Sequence, residues 1–284
     1  YPLSSFTAAL FLVAILLQIF TLIDDAYGVR PAKRLLGQSI GALAVIIFGN
    51  IYITSLQISI LGISLQLGFW GIPFTVVAVV GIINAFNMID GINGLCAGLA
   101  LVAIGALQVA SGFNVSNYSL VIAMGSIIGF LFYNLGFLGT KRRVFLGDNG
   151  STFLGFLVAW TCINYSQGEA NLIMPVTCLW IVAIPLLDCI GVMVYRVMRG
   201  ILPFDAGRDH IHHKLQAYLG SSFKALTFLC GMGVSLASIG IIIEKTTQSS
   251  EISLLIFLGV AACYYFGSNY ISTKILTNNT TADV

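Results

Sequence analysis

Four short stretches of this chain collect the residue types that bind cations and phosphates. The first is Asp24-Asp25, followed by AYGVRPAKRLLGQ with Lys33 and Gln38. Adjacent carboxylates repel unless a cation lies between or beside them. The pair is therefore either an ordinary membrane exit, where charges stop an apolar span, or half of a site for a metal ion or for a phosphate held by Lys33. The second stretch, NAFNMIDGINGL over residues 84–95, places Asn84, Asn87, Asp90 and Asn93 at the end of an apolar run. On a helix Asn84, Asn87 and Asp90 follow one another at intervals of three and share a face. Gly91 and Gly94 then permit a sharp turn or close approach of a ligand to the backbone. Amides that only tie helices together are the bland alternative.

The third stretch runs Lys141-Arg142-Arg143 and then FLGDNGS to Ser151. The basic triplet reads as a topology anchor. Glycines flanking Asp148 at a helix start leave backbone amides and the positive end of the helix dipole open to phosphate while the acid faces a metal. Asp148 is the strongest single metal-ligand candidate in the chain. The fourth stretch runs from Pro185-Leu-Leu-Asp188 through Arg196 to PFDAGRD and then His210-Ile211-His212-His213, which holds every histidine of the protein. A zinc site lacks support, with no nearby cysteine and no HExxH. Histidine bonding to phosphate among arginines fits better, with the imidazole either protonated or neutral, against the alternative of a solvated interfacial loop.

The elements that must position these stretches follow from composition. The chain is 58% hydrophobic and 8% charged, with mean hydropathy +0.96, against roughly 25% charged residues in a soluble domain. Nine apolar runs of membrane-spanning length are visible, near residues 3–23, 35–56, 70–89, 95–113, 118–140, 150–166, 171–194, 223–243 and 251–271. Only helices satisfy the backbone inside bilayer carbon without closing a barrel. The expectation is an all-α polytopic transmembrane bundle, one domain over residues 1–284. Residues 57–67, QISILGISLQL, alternate around Gly62 and suggest a small hairpin. The six cysteines read as packing residues without a disulfide framework.

If the nine runs alternate across the bilayer, the four stretches fall on one side, with every aspartate, every histidine and every basic residue but Lys245. The positive-inside rule makes that side cytoplasmic. It accounts for the lysines and arginines but not for the aspartates. The net charge of +2 gives no indication of nucleic acid.

In this order and on one side, the stretches resemble the bacterial polyprenyl-phosphate N-acetylhexosamine-1-phosphate transferases of glycosyltransferase family 4. The matching elements are Asp24-Asp25 with Lys33 and Gln38, NAFNMIDGINGL, FLGDNGS, PLLD and HIHH. The HIHH form after PFDAGRD is more similar to the WecA-type branch, which makes lipid-linked N-acetylglucosamine phosphate for surface polysaccharides, than to the MraY-type branch. Members of the family carry an Asp where this chain has Asn93, an amide that cannot act as a base at neutral pH. They also have more spans, so helices are expected to precede Tyr1.

The resemblance implies a multi-pass enzyme of the bacterial inner membrane with its site on the cytoplasmic face. Its reaction would be attack of undecaprenyl phosphate on UDP-N-acetylglucosamine, giving lipid-pyrophosphate-sugar and UMP. Another UDP-N-acetylhexosamine or UDP-MurNAc-pentapeptide is the alternative donor. Mg2+, or Mn2+, would be held by Asp148 and Asp25, and Asp24 would accept or position the lipid-phosphate proton. Asp24, Asp25, Asp90 and Asp148 form the catalytic set. Lys33, Asn84, Asn87, Asn93, Arg196, His210, His212 and His213 would hold substrate, with Asp90 also at the nucleotide-sugar. The lipid bilayer is an implied partner, and a homodimer is left open. A transporter lined by intramembrane polar groups and an inactive homologue are the rival readings.

Overall fold

The computed structural model describes residues 4–60, 63–113, 118–168, 171–202, 207 and 209–282. Gly62 of the expected hairpin, Glu169, residues 203–206, Arg208 and Asp283 lie outside them. The helices are α1 (Ser5–Tyr27), α2 (Pro31–Gly49), α3 (Gly71–Ile89), α4 (Leu95–Ala110), α5 (Tyr118–Asn134), α6 (Gly147–Gln167), α7 (Pro175–Ile181), α8 (Ala183–Met198), α9 (Ile211–Leu219), α10 (Ser222–Thr247) and α11 (Ser250–Ala282). Strands β1 (Ser55–Ile60) and β2 (Ile63–Gln66) form the expected antiparallel hairpin, with Ser59 opposite Ser64 and an irregularity between Ser55 and Ser59.

Every apolar run became helix, but not nine equal spans. Among the described residues five helices are long and apolar enough to cross a membrane, or six if a bent pair counts as one. Helices α4 and α5 have 16 and 17 residues, about 25 Å at 1.5 Å per residue and short of a hydrocarbon core of about 30 Å. The seventh run, read from sequence as one span, is α7 and α8, bent by 82°. Pro185 explains the break, because in a continuous helix it could not donate to the carbonyl of Ile181 and its ring would press on that group.

The buried face of α1 runs Val13, Leu17, Thr21 and Asp24, so a stripe that starts apolar ends in a carboxylate. Its other face exposes Phe11, Leu12, Ile15, Ile19 and Leu22, the pattern of a helix whose solvent is hydrocarbon. Helix α6 lies between two apolar cores. On one side it meets α1, α2 and α3 through Phe156, Ala159, Trp160 and Ile163. On the other, Leu154, Val158, Cys162 and Tyr165 join α4, α7, α8 and α10.

The contact of α6 with α3 is the closest of these. A Cβ on Gly155 would stand 2.8 Å from the Cα of Ile83 and 3.2 Å from the carbonyl oxygen of Ile82. Backbone meets backbone there, and neither side can yield by a rotamer change. Gly155→Val is therefore expected to cost about 1–3 kcal/mol by overpacking, seen as a lower unfolding temperature in detergent, whereas valine at Gly125, where a Cβ meets nothing within 4 Å, should leave that temperature nearly unchanged.

Candidate active site

Helices α3 and α6 run antiparallel, and their close contact sets a register. One turn from the Gly155–Ile83 contact, Asn87 Nδ2 donates to Ser151 Oγ at 3.0 Å. Ser151 is fully buried, and its hydroxyl also lies 3.1 Å from the carbonyl oxygen of Gly147 and 3.2 Å from that of Asp148. Three residues further along each helix, Asp90 and Asp148 face each other electrostatically. Burial, with the Asp148 charge as second cause, pushes the Asp90 carboxyl up to about 6. Gly147 opens this turn with φ +67°, a conformation that favours glycine.

The Asp24-Asp25 pair divides. Asp24 is 3% exposed; it accepts from the Val29 amide at 2.8 Å and pairs with Arg34 Nε at 2.5 Å. Arg34 reaches on, Nη1 donating to Asp148 Oδ2 at 3.2 Å. One guanidinium thus joins the first stretch to the third. Asp25 is exposed and makes no ion pair or hydrogen bond among the described residues. Of the pair it is Asp24 that is linked to Asp148, through Arg34, and both of its carboxylate oxygens are engaged.

Lys33 is exposed, whereas Arg34, Gln38 and Ala42 follow at intervals of four along the inward face of α2. Gln38 accepts from Asn84 Nδ2 at 2.7 Å. Between α1, α2, α3 and α6 lies a cleft lined by Arg34, Gln38, Asn84, Asn87, Asp148 and Thr152. Three of the four stretches meet there.

The fourth stretch arrives by close packing. A Cβ on Gly91 would lie 1.9 Å from His212 Nε2, so the imidazole rests on bare backbone beside Asp90. Gly94, three residues on, supplies the turn with φ +83°. The expected turn falls to Gly94, and at Gly91 the close approach is made by a side chain, His212. His212 is 1% exposed, and neither ring nitrogen finds a hydrogen-bond partner among the described residues. Burial, then the His213 charge, lowers His212 to about 4, so it is neutral at pH 7. His210 stacks on it at 5.7 Å and His213 lies 4.1 Å from it, centre to centre. Asn93 is half-buried in the same turn.

Arg196 is almost fully buried, its Nε and Nη2 both 3.2 Å from Asp209 Oδ2. It closes the fourth stretch upon itself. Asp188, quoted in the sequence motif without a role, is buried and bonded to His210 Nδ1 at 2.7 Å. Arg34 was the other omission, grouped with the topology-setting basic residues. Its four-residue spacing from Gln38 is the signal that separates it from Lys33.

As to a divalent cation, no group of three or more His, Cys, Asp or Glu converges among the described residues. Mg2+ typically takes one or two carboxylates and completes its shell with water and substrate phosphate. Asp90 and Asp148 are such a pair, with mutual repulsion that a cation would relieve.

Apolar helices whose polar ends carry carboxylates, amides and imidazoles around one turn are the pattern of a multi-pass membrane protein with a polar cluster at helix ends. The chain belongs to glycosyl transferase family 4, whose model matches residues 7–166. It is 36% identical to the undecaprenyl-phosphate alpha-N-acetylglucosaminyl 1-phosphate transferase of Escherichia coli O157:H7 over 247 residues, 86% of this chain and 67% of that protein. The protein of the same name from Escherichia coli K12 is 36% identical over 83% of this chain and 65% of its own length. That from Haemophilus influenzae is 39% identical over 83% and 67%. The chain spans about two thirds of the length of the curated relatives it matches.

Two outcomes follow from the geometry. Removing the Arg34 cation strands the buried Asp24 carboxylate, so Arg34→Met should lower the unfolding temperature, and adding Asp24→Asn should recover most of the loss because the uncompensated charge is gone. The Asp90 carboxyl, raised to about 6, is protonated below that pH and ionised above it. An infrared carboxylic-acid band should therefore grow as pH falls through about 6 in metal-free protein, vanish in Asp90→Asn, and move to lower pH in Asp148→Asn, which removes the repelling charge.

Proposed function

We propose that this protein transfers N-acetylglucosamine-1-phosphate from UDP-N-acetylglucosamine to undecaprenyl phosphate, releasing UMP, in the synthesis of cell-surface polysaccharide. The observation that carries the reading is the α3–α6 register. It gathers Asn87, Asp90, Asp148 and, through Arg34, Asp24 at helix ends, in a chain whose curated relatives bear the name of that activity. The nine apolar helical segments, short and bent ones included, are taken as crossing or entering a bacterial inner membrane. The basic loops then mark the cytoplasmic face, from which a nucleotide-sugar comes.

In this reaction an oxygen of the lipid phosphate attacks the sugar-linked phosphorus, and the diphosphate P–O bond breaks as UMP departs. Both reactants are anions, so charge neutralisation is the main demand on the site. Asp148 and Asp90 would hold Mg2+, which supplies Lewis-acid stabilisation of the phosphates when bound. Arg34 is the cation of the cleft. It keeps Asp24 and Asp148 from repelling each other and presents its remaining donors to phosphate. Asn84 and Asn87, anchored to Gln38 and Ser151, orient polar atoms for the nucleotide-sugar, with Asn93 in the following turn. Lys33, exposed one residue before Arg34, stands where the lipid phosphate would approach from the interface. His212, neutral and seated on Gly91, can donate from one nitrogen and accept at the other.

A site at helix ends suits a lipid substrate, whose phosphate lies at the interface while its tail stays in hydrocarbon. A solute path would instead place polar groups near the midplane. Membranes holding the full-length protein, given labelled UDP-N-acetylglucosamine and undecaprenyl phosphate, are expected to form lipid-linked sugar and UMP in a Mg2+-dependent way. Asp148→Asn should reduce turnover at least ~100-fold. Solute flux without lipid-linked product would establish the transporter reading instead.

A further inference from the structure

Helix α9 carries His212 and His213 in its first turn, and nothing local caps it. His210 occupies the N-cap position but its side chain makes no capping bond. The cap comes from α8: Asp188 Oδ1 accepts from the Ile211 amide at 2.8 Å, while Oδ2 lies 2.7 Å from His210 Nδ1. A third donor, Tyr264 OH on α11, lies 3.4 Å from Oδ1. Asp188 is 3% exposed and His210 6%. A carboxylate buried at this depth with three donors is anchored, and it fixes what it holds. It holds both the start of α9 and the ring that stacks on His212.

The consequence reaches the Asp90 turn because His212 has no slack. Its Nε2 lies where a Cβ of residue 91 would be, so the ring touches the Gly91 backbone directly. A small rotation of α9 about its first turn would lift the imidazole from Gly91 or drive it into the backbone. Lys214, half-buried on the same helix, bonds Ser268 Oγ of α11 at 2.9 Å, so α9 is tied to α11 at one point and to α8 at another. Apart from Gly91, the residues making these contacts lie beyond residues 7–166 matched by the family model.

We propose that Asp188 is a positioning residue that seats the His210–His213 segment against the Asp90–Gly91 turn, so that α8, α9 and α11 act on phosphoryl transfer through one buried carboxylate. The inference rests on the transferase reading for its kinetic readout but not for its geometry. Asp188→Asn retains volume and an acceptor for the Ile211 amide. It replaces the second oxygen with an amide group that cannot accept from His210 Nδ1–H, so the ring must change tautomer or turn away. An imidazole out of place should cost stabilisation of the reacting phosphates more than ground-state binding of the donor.

The experiment uses the full-length protein in membranes, comparing Asp188→Asn, His212→Gln and the double variant, with folded protein quantified by thermal unfolding. Expected is a kcat ~100-fold lower for Asp188→Asn with KM for UDP-N-acetylglucosamine within ~3-fold, and a double variant within ~3-fold of the worse single one. Losses that multiply in the double variant, or a near-normal kcat for Asp188→Asn, would overturn the proposal. Should Asp188→Asn fail to fold, Tyr264→Phe removes only a hydroxyl that donates to Asp188. It should lower kcat ~5-fold and show the same non-additivity with His212→Gln, and full activity would overturn the proposal. Trypsin cleavage at Lys214 reads the seat of α9 without turnover, and is expected to speed up ~10-fold in Asp188→Asn; an unchanged rate counts against it. Wild-type protein that makes no lipid-linked product refutes the transferase reading alone, and the cleavage rates then decide the role of Asp188.

Discussion

The α3–α6 contact at Gly155 is the constraint on which the site depends. Because a hydrogen is all that separates the Gly155 Cα from the backbone at Ile83, the two helices are held at a fixed distance and a fixed register. Moving toward the polar ends, first four residues and then three, brings Ser151 to Asn87 and Asp148 to Asp90. The first pairing is a hydrogen bond. The second is a repulsion, visible in the raised Asp90 carboxyl. A register that clamps two acids face to face is unfavourable for an isolated helix pair. Close backbone packing one turn away holds it in place, and a site for a cation and phosphates has use for that concentration of charge.

Other charges of the site are handled by the same economy of partners. Among the described residues two acids are buried to 3%, and each has a specific partner. Asp24 has Arg34, and Asp188 has His210 with two further donors. Burying a carboxylate without such partners would be costly enough to neutralise it. Arg34 differs from Asp188 in being partly exposed, with 39% of its side chain accessible. It can therefore both neutralise Asp24 and face the cleft. Arg196 is turned inward on Asp209.

How far the sequence reveals this arrangement depends on the range of the interaction. The Asn84, Asn87 and Asp90 face is legible because helical spacing alone aligns it. The roles of Gly91 and Gly94 are legible as a pair, but not which takes the turn and which the close approach, since that choice depends on where α9 docks. The Asp24-Asp25 doublet conceals a division that the helical repeat of 3.6 resolves, as Asp24, three residues after Thr21 and seven after Leu17, continues their buried stripe and Asp25 does not. Arg34 beside Lys33 is the same lesson on α2. The count of nine spans is not confirmed, for a different reason. Nine apolar runs are legible, but Pro185 bends the seventh, α4 and α5 end short, and α6, though 21 residues long, is not among the helices apolar enough to cross. Asp188 could not be assigned at all, because its partners lie 22 and 76 residues away.

The histidine cluster settles a question of charge that composition leaves open. Imidazoles among arginines suggest a cationic cradle for phosphate. Yet His212 is pressed on backbone, enclosed by His210 and His213, and shifted to about 4 chiefly by burial, so it carries no charge at neutral pH. In the proposed reaction, positive charge at the phosphates would then come not from His212 but from groups such as Arg34. His212 itself would contribute hydrogen bonds and shape. A neutral imidazole there has an advantage over a cation. It can meet a phosphate oxygen or a sugar hydroxyl without forming an ion pair with Asp90, one residue before the Gly91 backbone it touches. The acids of the turn would thereby be kept available for the metal and substrate proposed above.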